Sequence, residues 1–149
     1  MFDKLFGKKT AKPEADADEC DPMHRATAAL LVEAACADEK YEDHEKLLID
    51  KTLAAKFNLE ADAAAALRAK GEAAQADALD IQRFTRVVKE MAGDEKIAFI
   101  EQLWEIVLSD GERDPFEDTL IRRICGLIYV EDRDSGAARA RVAARLNKD

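Results

Sequence analysis

From residue 22 to the end of the chain, apolar residues recur at spacings of three and four, the period of an α-helix. No run of β-branched residues alternates at period two, so strands are not expected. The pattern predicts seven helices, at about 22–38, 43–57, 60–75, 79–92, 94–109, 115–129 and 133–146. Gly93 is expected to separate the fourth helix from the fifth. Pro115 is expected to open the sixth, where its fixed φ is already helical and its missing N–H has no intrahelical partner to lose. The third helix is alanine-rich, with Leu67 as its large apolar residue, so it either packs closely or packs little.

Within this pattern one segment is written twice, 72 positions apart. Leu31, Glu33, Asp38, Glu45, Leu48 and Ile49 recur without a gap as Leu103, Glu105, Asp110, Glu117, Leu120 and Ile121, and Glu42 falls on Asp114. The expected fold class is therefore all-α, a single domain of about seven helices containing two related helical hairpins. Residues 22–149 form that domain, and residues 1–21 are an N-terminal amphipathic segment with an acidic linker.

The repeated acidic positions require a physical reason. Ala28, Leu31 and Ala35 lead by helical steps to Asp38, and Ile100, Leu103 and Val107 lead to Asp110. Each Asp thus ends an apolar stripe, where a charge costs several kcal/mol unless it has partners. Asp114 and Glu117 have the spacing of a capping box, and Glu42 and Glu45 occupy the matching places. Carboxylates in a first helical turn also meet the positive end of the helix dipole. A second reading stands beside capping: Asp38, Glu42 and Glu45, with Asp110, Asp114 and Glu117, are oxygen ligands suited to a hard divalent cation such as Ca²⁺, Mg²⁺ or Mn²⁺. The EF-hand pattern does not fit, because Pro115 stands where its Gly is required and Ile121 where its final Glu is required. Glu33 and Glu105 lie about 140° round the helix from their own Asp. Any ion held by Glu33 would thus need its other ligands from another helix; the expectation is that Glu33 is a surface residue or forms a salt bridge to Arg122, Arg123 or Lys46. His44, beside Glu45, is placed to join such a site, but its counterpart is Phe116, so the expectation is a partly buried packing residue.

Charge and composition narrow the function classes. The net charge of −9 opposes non-specific nucleic-acid binding and favours cations or cationic partners. Three widely spaced cysteines with no Cys-x-x-Cys pair fit a reducing compartment, with Cys36 and Cys125 in the core and Cys20 in the polar linker. There is no leader-like apolar run and no stretch approaching about 18 apolar residues, so a cytoplasmic location is expected. Phe2, Leu5 and Phe6 share a helical face among lysines, and are expected to form a short helix folded onto the domain, a disordered end, or a weak membrane-surface contact. No phosphate loop or nucleophile elbow is present, and two histidines are a thin basis for acid–base catalysis, so no enzyme activity is expected. Trp104 is expected to pack in the core.

These residues resemble the TerB-like family of bacterial proteins, named for tellurite resistance. The resemblance spans about residues 25–146 and is carried by the segment Leu30 to Asp38 and the segment Leu103 to Gly111. Asp80-Ile-Gln-Arg-Phe84-Thr85 and the run from Arg122 to Tyr129 add to it. The chain departs from the family at Glu39, where Gly is common and where its own second copy has Gly111. The resemblance implies an all-α fold and a cluster of acidic residues proposed to bind metal, here Asp38, Glu42, Glu45, Asp110, Asp114 and Glu117. With the acidic composition, the expected function is a non-enzymatic protein of stress or metal resistance that takes a divalent cation or a protein partner; a homodimer is a further expectation. A metal-free interaction scaffold or a peripheral membrane adaptor is the alternative.

Overall fold

A computed structural model describes residues 20–37, 40–109 and 115–147, with the side chains of residues 115–117 outside the description. The segment containing Phe2, Leu5 and Phe6 lies outside the described residues, as do Asp38, Glu39, Asp110 and Asp114. The described residues form seven helices: α1 Pro22–Cys36, α2 Asp43–Phe57, α3 Ala61–Asp77, α4 Gln82–Val88, α5 Gly93–Leu108, α6 Pro115–Ile128 and α7 Asp132–Leu146. None of them is long and apolar enough to cross a membrane.

Local chemistry sets the ends. Asp21 caps α1, its Oδ1 accepting from the N–H groups of Met23 at 2.8 Å and His24 at 3.4 Å, and Pro22 occupies the first helical position. Glu45 reaches back from the first turn of α2 to accept the Glu42 N–H at 2.9 Å, and Glu95 does the same for Ala92 at 3.1 Å at the head of α5. Asn58 and Tyr129 close α2 and α6 in left-handed conformations, with φ of 56° and 68°. The next N–H in each case turns back five residues, Leu59 to the Ala54 carbonyl and Val130 to the Cys125 carbonyl, both at 2.9 Å.

The fourth helix is shorter than the apolar pattern predicts. The Asp80 carboxylate takes the Gln82 N–H at 2.8 Å and delays its start. At its end, the N–H groups of Glu90 and Met91 bond three residues back, to Val87 and Val88, which tightens the chain out of the α-helix. Gly93 does not separate α4 from α5; it is the first residue of α5, and the break lies at residues 89–92.

α1 is the centre of the domain and packs against α2, α3, α4, α5 and α6. From Ala26 to Ala35 every residue except Glu33 is buried, so this helix is enclosed almost all round rather than along one stripe. Its closest neighbour is the alanine-rich α3, which therefore packs closely: a Cβ added at Gly71 would lie 2.7 Å from Ala28 Cβ and 2.8 Å from its carbonyl carbon. In the second half, α5 packs mainly on α7 and also on α1, α2 and α6. Leu31, Leu103, Ile49 and Ile121 are all fully buried. Trp104 packs in the core as expected, and its indole N–H donates to Ser135 Oγ at 3.1 Å. Cys125 is buried and Cys36 partly so, whereas Cys20, read as part of a solvated linker, is also partly buried and packs on the core.

Candidate functional site

Two ring contacts and one electrostatic interaction relate the ends of the hairpin helices. His24, at the start of α1, stacks on Phe57, at the end of α2, with ring centroids 3.8 Å apart. Lys56, beside Phe57, feels the carboxylate of Glu95 in the first turn of α5; burial pushes its ammonium below the ordinary value, and Glu95 acts against that. Lys96, also at the start of α5, sits 5.8 Å from the ring centroid of Tyr129, at the end of α6. One face of the domain thus gathers the start of α1, the end of α2, the start of α5 and the end of α6. The other termini of these helices, Cys36, Asp43, Leu108 and Pro115, point the opposite way. They flank the two acidic connections.

Of the six candidate ligands, the structure describes the side chains of two. Glu45 is 2% exposed and takes part in capping as described above. Glu42 is exposed, with its carboxylate 3.5 Å from His44 Nδ1. His44 itself is exposed rather than partly buried, because the first turn of α2 faces solvent there. Asp38, Asp110 and Asp114 lie outside the described residues, as does the side chain of Glu117. Among the described residues, no group of three or more His, Cys, Asp or Glu side chains is placed to hold a metal ion.

A second polar cluster stands beside this end. The Tyr41 hydroxyl donates to Glu72 Oε2 at 2.6 Å. Arg68 Nη1 donates to the same oxygen at 2.7 Å, and Arg68 Nε donates to Asp50 Oδ1 at 2.6 Å. The cluster ties the residue next to Glu42 to α3, and ties α3 to α2. Burial, with the Glu72 carboxylate beside it, pushes the Tyr41 hydroxyl above its ordinary value. The Asp50 carboxylate holds the Arg68 guanidinium above its own, against the opposing effect of burial and with help from Glu72. Burial alone would raise the Glu72 carboxyl, but the Tyr41 hydroxyl and the Arg68 guanidinium outweigh it and hold Glu72 below the usual carboxylate range. Sequence reasoning missed this cluster. The available signal was the i, i+4 spacing of Arg68 and Glu72 on a helix otherwise rich in alanine.

Glu33 is half-buried on α1, and of its two expected settings the salt bridge is not the one found. Its partner is neither Lys46 nor an arginine; Gln75 Nε2 on α3 donates to its Oε1 at 2.8 Å. Arg123 lines the same cleft as Glu33, an opening of about 400 Å³ that also includes Leu79 and Phe84.

The fold and the charge define a helical, acidic protein domain built around one enclosed helix. The family model for tellurite resistance protein TerB matches residues 24–140, most of the chain, and the chain belongs to that family. No curated protein matches it. No solved structure matches it either.

Proposed function

We propose that this member of the tellurite-resistance TerB family is a non-enzymatic cytoplasmic protein that binds a hard divalent cation, Ca²⁺, Mg²⁺ or Mn²⁺, through the acidic connections α1–α2 and α5–α6. Asp38, Glu42 and Glu45 would supply the first half of the ligand set, and Asp110, Asp114 and Glu117 the second. The observation that carries this reading is Glu45, a carboxylate 2% exposed at the start of α2. It stands at the end of the domain toward which the termini flanking both acidic connections point. A buried carboxylate costs several kcal/mol unless it is hydrogen-bonded or paired; Glu45 accepts the Glu42 N–H, and a cation would add a charge partner. Oxygen donors alone suit a hard cation.

Calorimetry with Ca²⁺, Mg²⁺ and Mn²⁺ on the native protein and on Asp38→Asn and Asp110→Asn tests it. Binding heat in the native protein that is lost in both variants is expected. No heat and no rise in melting temperature at millimolar ion would sink the reading. A second reading, a metal-free interaction scaffold, is favoured by the hydrogen bond from Glu42 N–H to Glu45, which gives that carboxylate a capping role. On that reading Glu45→Gln lowers the melting temperature by the same amount with and without ion.

A further inference from the structure

The chain carries 32 acidic residues against 23 Lys and Arg, so carboxylate partners for arginine are plentiful. Arg68 pairs with Asp50 and Glu72, and Arg141 and Arg145 both pair with Glu101. Against that background one cleft stands apart. It lies among α5, α6 and α7, encloses about 200 Å³, and is lined by Trp104, Arg122, Ser135 and Arg139 together with Asp118 and Asp132. Neither Arg122 nor Arg139 has an ion-pair partner among the described residues. The Arg139 guanidinium lies over the Trp104 ring, 5.4 Å from its centroid, and its Nε is buried with no hydrogen-bond acceptor.

A buried guanidinium N–H without an acceptor is uncommon in a native fold and calls for an explanation. Stacking on an indole face stabilises the cation and fixes its plane, but supplies no acceptor. The two carboxylates on the wall do not complete the arrangement. Asp118 is engaged in an interaction of its own, and Asp132 sits in the first turn of α7, where the positive end of the helix dipole already favours it. Arginine presents a planar fork of donors matched to the oxygens of carboxylate and phosphate. Trp104 is held in place by its bond to Ser135, so the aromatic wall is fixed before any ligand arrives. The volume is below the range of drug-sized sites, which begins at about 300 Å³, and suits a small ion.

We propose that this cleft binds a small oxyanion, carboxylate or phosphate, held by the guanidinium groups of Arg122 and Arg139 against the face of Trp104. The described walls of the site come from α5, α6 and α7, and the anion is held without any cation at the acidic connections.

Trp104 is the single tryptophan of the chain, so its fluorescence reports this cleft alone. The full chain is titrated with inorganic phosphate and, separately, with malonate, chloride keeping the ionic strength constant. A saturable change with either anion is expected, and the tighter of the two identifies tetrahedral or planar geometry as preferred. Arg122→Gln, at an exposed position, is expected to raise Kd at least tenfold, and Arg139→Gln to do the same. If Arg139→Gln does not fold, Arg122→Gln still decides. A change that does not saturate, a response equal to that of chloride, or an Arg122→Gln variant that titrates like the native protein would overturn the proposal.

Discussion

Gly71 on α3 and Ala28 on α1 approach so closely that the two helices touch backbone to backbone: a Cβ at Gly71 would meet the Ala28 Cβ at 2.7 Å and its carbonyl carbon at 2.8 Å. Neither atom belongs to a flexible side-chain tip, so Gly71→Ala must push the helices apart. Overpacking of this kind costs about 1–3 kcal/mol, more than the helix-propensity gain of about 1 kcal/mol from replacing glycine. Gly71→Ala is expected to lower the denaturation midpoint, although the same change in an exposed helix interior would raise it. Urea unfolding checks the sign.

Tyr41 couples stability to alkaline pH. Its hydroxyl holds its proton more tightly in the folded chain than in the unfolded one, whose value is about 10. The contribution is fully present below that unfolded value and is lost as pH rises through the higher folded value. Tyr41→Phe is expected to cost about 1 kcal/mol at neutral pH, the usual net worth of one hydrogen bond. Above pH 10 the native protein should lose stability more steeply than the variant, so the gap between the two should close as pH rises.

Glu72 acts at the other limb. Its folded value is depressed, so its contribution is present above the unfolded carboxylate range and disappears as pH falls through the folded value. Glu72→Gln should be less stable than the native protein at pH 7 and should converge with it in acid. Parallel melting curves at pH 7 and pH 3 test this; a constant gap between the two proteins would refute it.

Ser135 accepts the Trp104 indole N–H in the interior, and both side chains are almost fully buried. Ser135→Ala leaves that donor unpaired, at a cost of about 1–3 kcal/mol. Cys125 lies against the same hydroxyl; burial pushes its thiol up, the Ser135 hydrogen bond acts against burial, and Asp132 adds to it. Thiol reagents at pH 8 should therefore label Cys20 and Cys36 in the folded protein and reach Cys125 only on unfolding, because the reactive form is the thiolate. Peptide mapping after brief labelling reads this out.

Tyr129 ends α6 in the left-handed region, at φ 68°, with its ring 74% exposed. A side chain there costs roughly 1–2 kcal/mol that glycine does not incur, offset by about 0.5–1 kcal/mol of extra chain entropy in the unfolded state. Tyr129→Gly is expected to be stabilising by at most about 1.5 kcal/mol, read as a small rise in melting temperature.

The helices were legible because each is long, strongly periodic and locally capped. Asp21-Pro22 and Pro115 mark starts, and the break before Gly93 misleads by only a few residues, because glycine is tolerated in a first turn as well as at a helix end. The short α4 was overextended because its apolar residues continue the period after the backbone has tightened out of it. The acidic residues were visible as a pattern, and their capping half is realised at Glu42 and Glu45. The Tyr41–Glu72–Arg68–Asp50 cluster was not visible, since it joins residues 18 and 31 positions apart on three segments and no local period records that.

By itself the sequence determined the all-α class, the number and order of the described helices, the burial of Trp104 and membership of the TerB-like family. These follow from local periodicity, caps and motif residues, which act within a few positions of the chain. Only the tertiary structure decided that α1 is enclosed on nearly every side, that Gly71 is a contact point rather than a weak place in a helix, that Glu33 is bound by Gln75, and that two arginines gather at Trp104 without ion-pair partners among the described residues. Those outcomes depend on which helices lie beside one another, and packing, desolvation and charge at a helix surface are set by neighbours that the local pattern does not name.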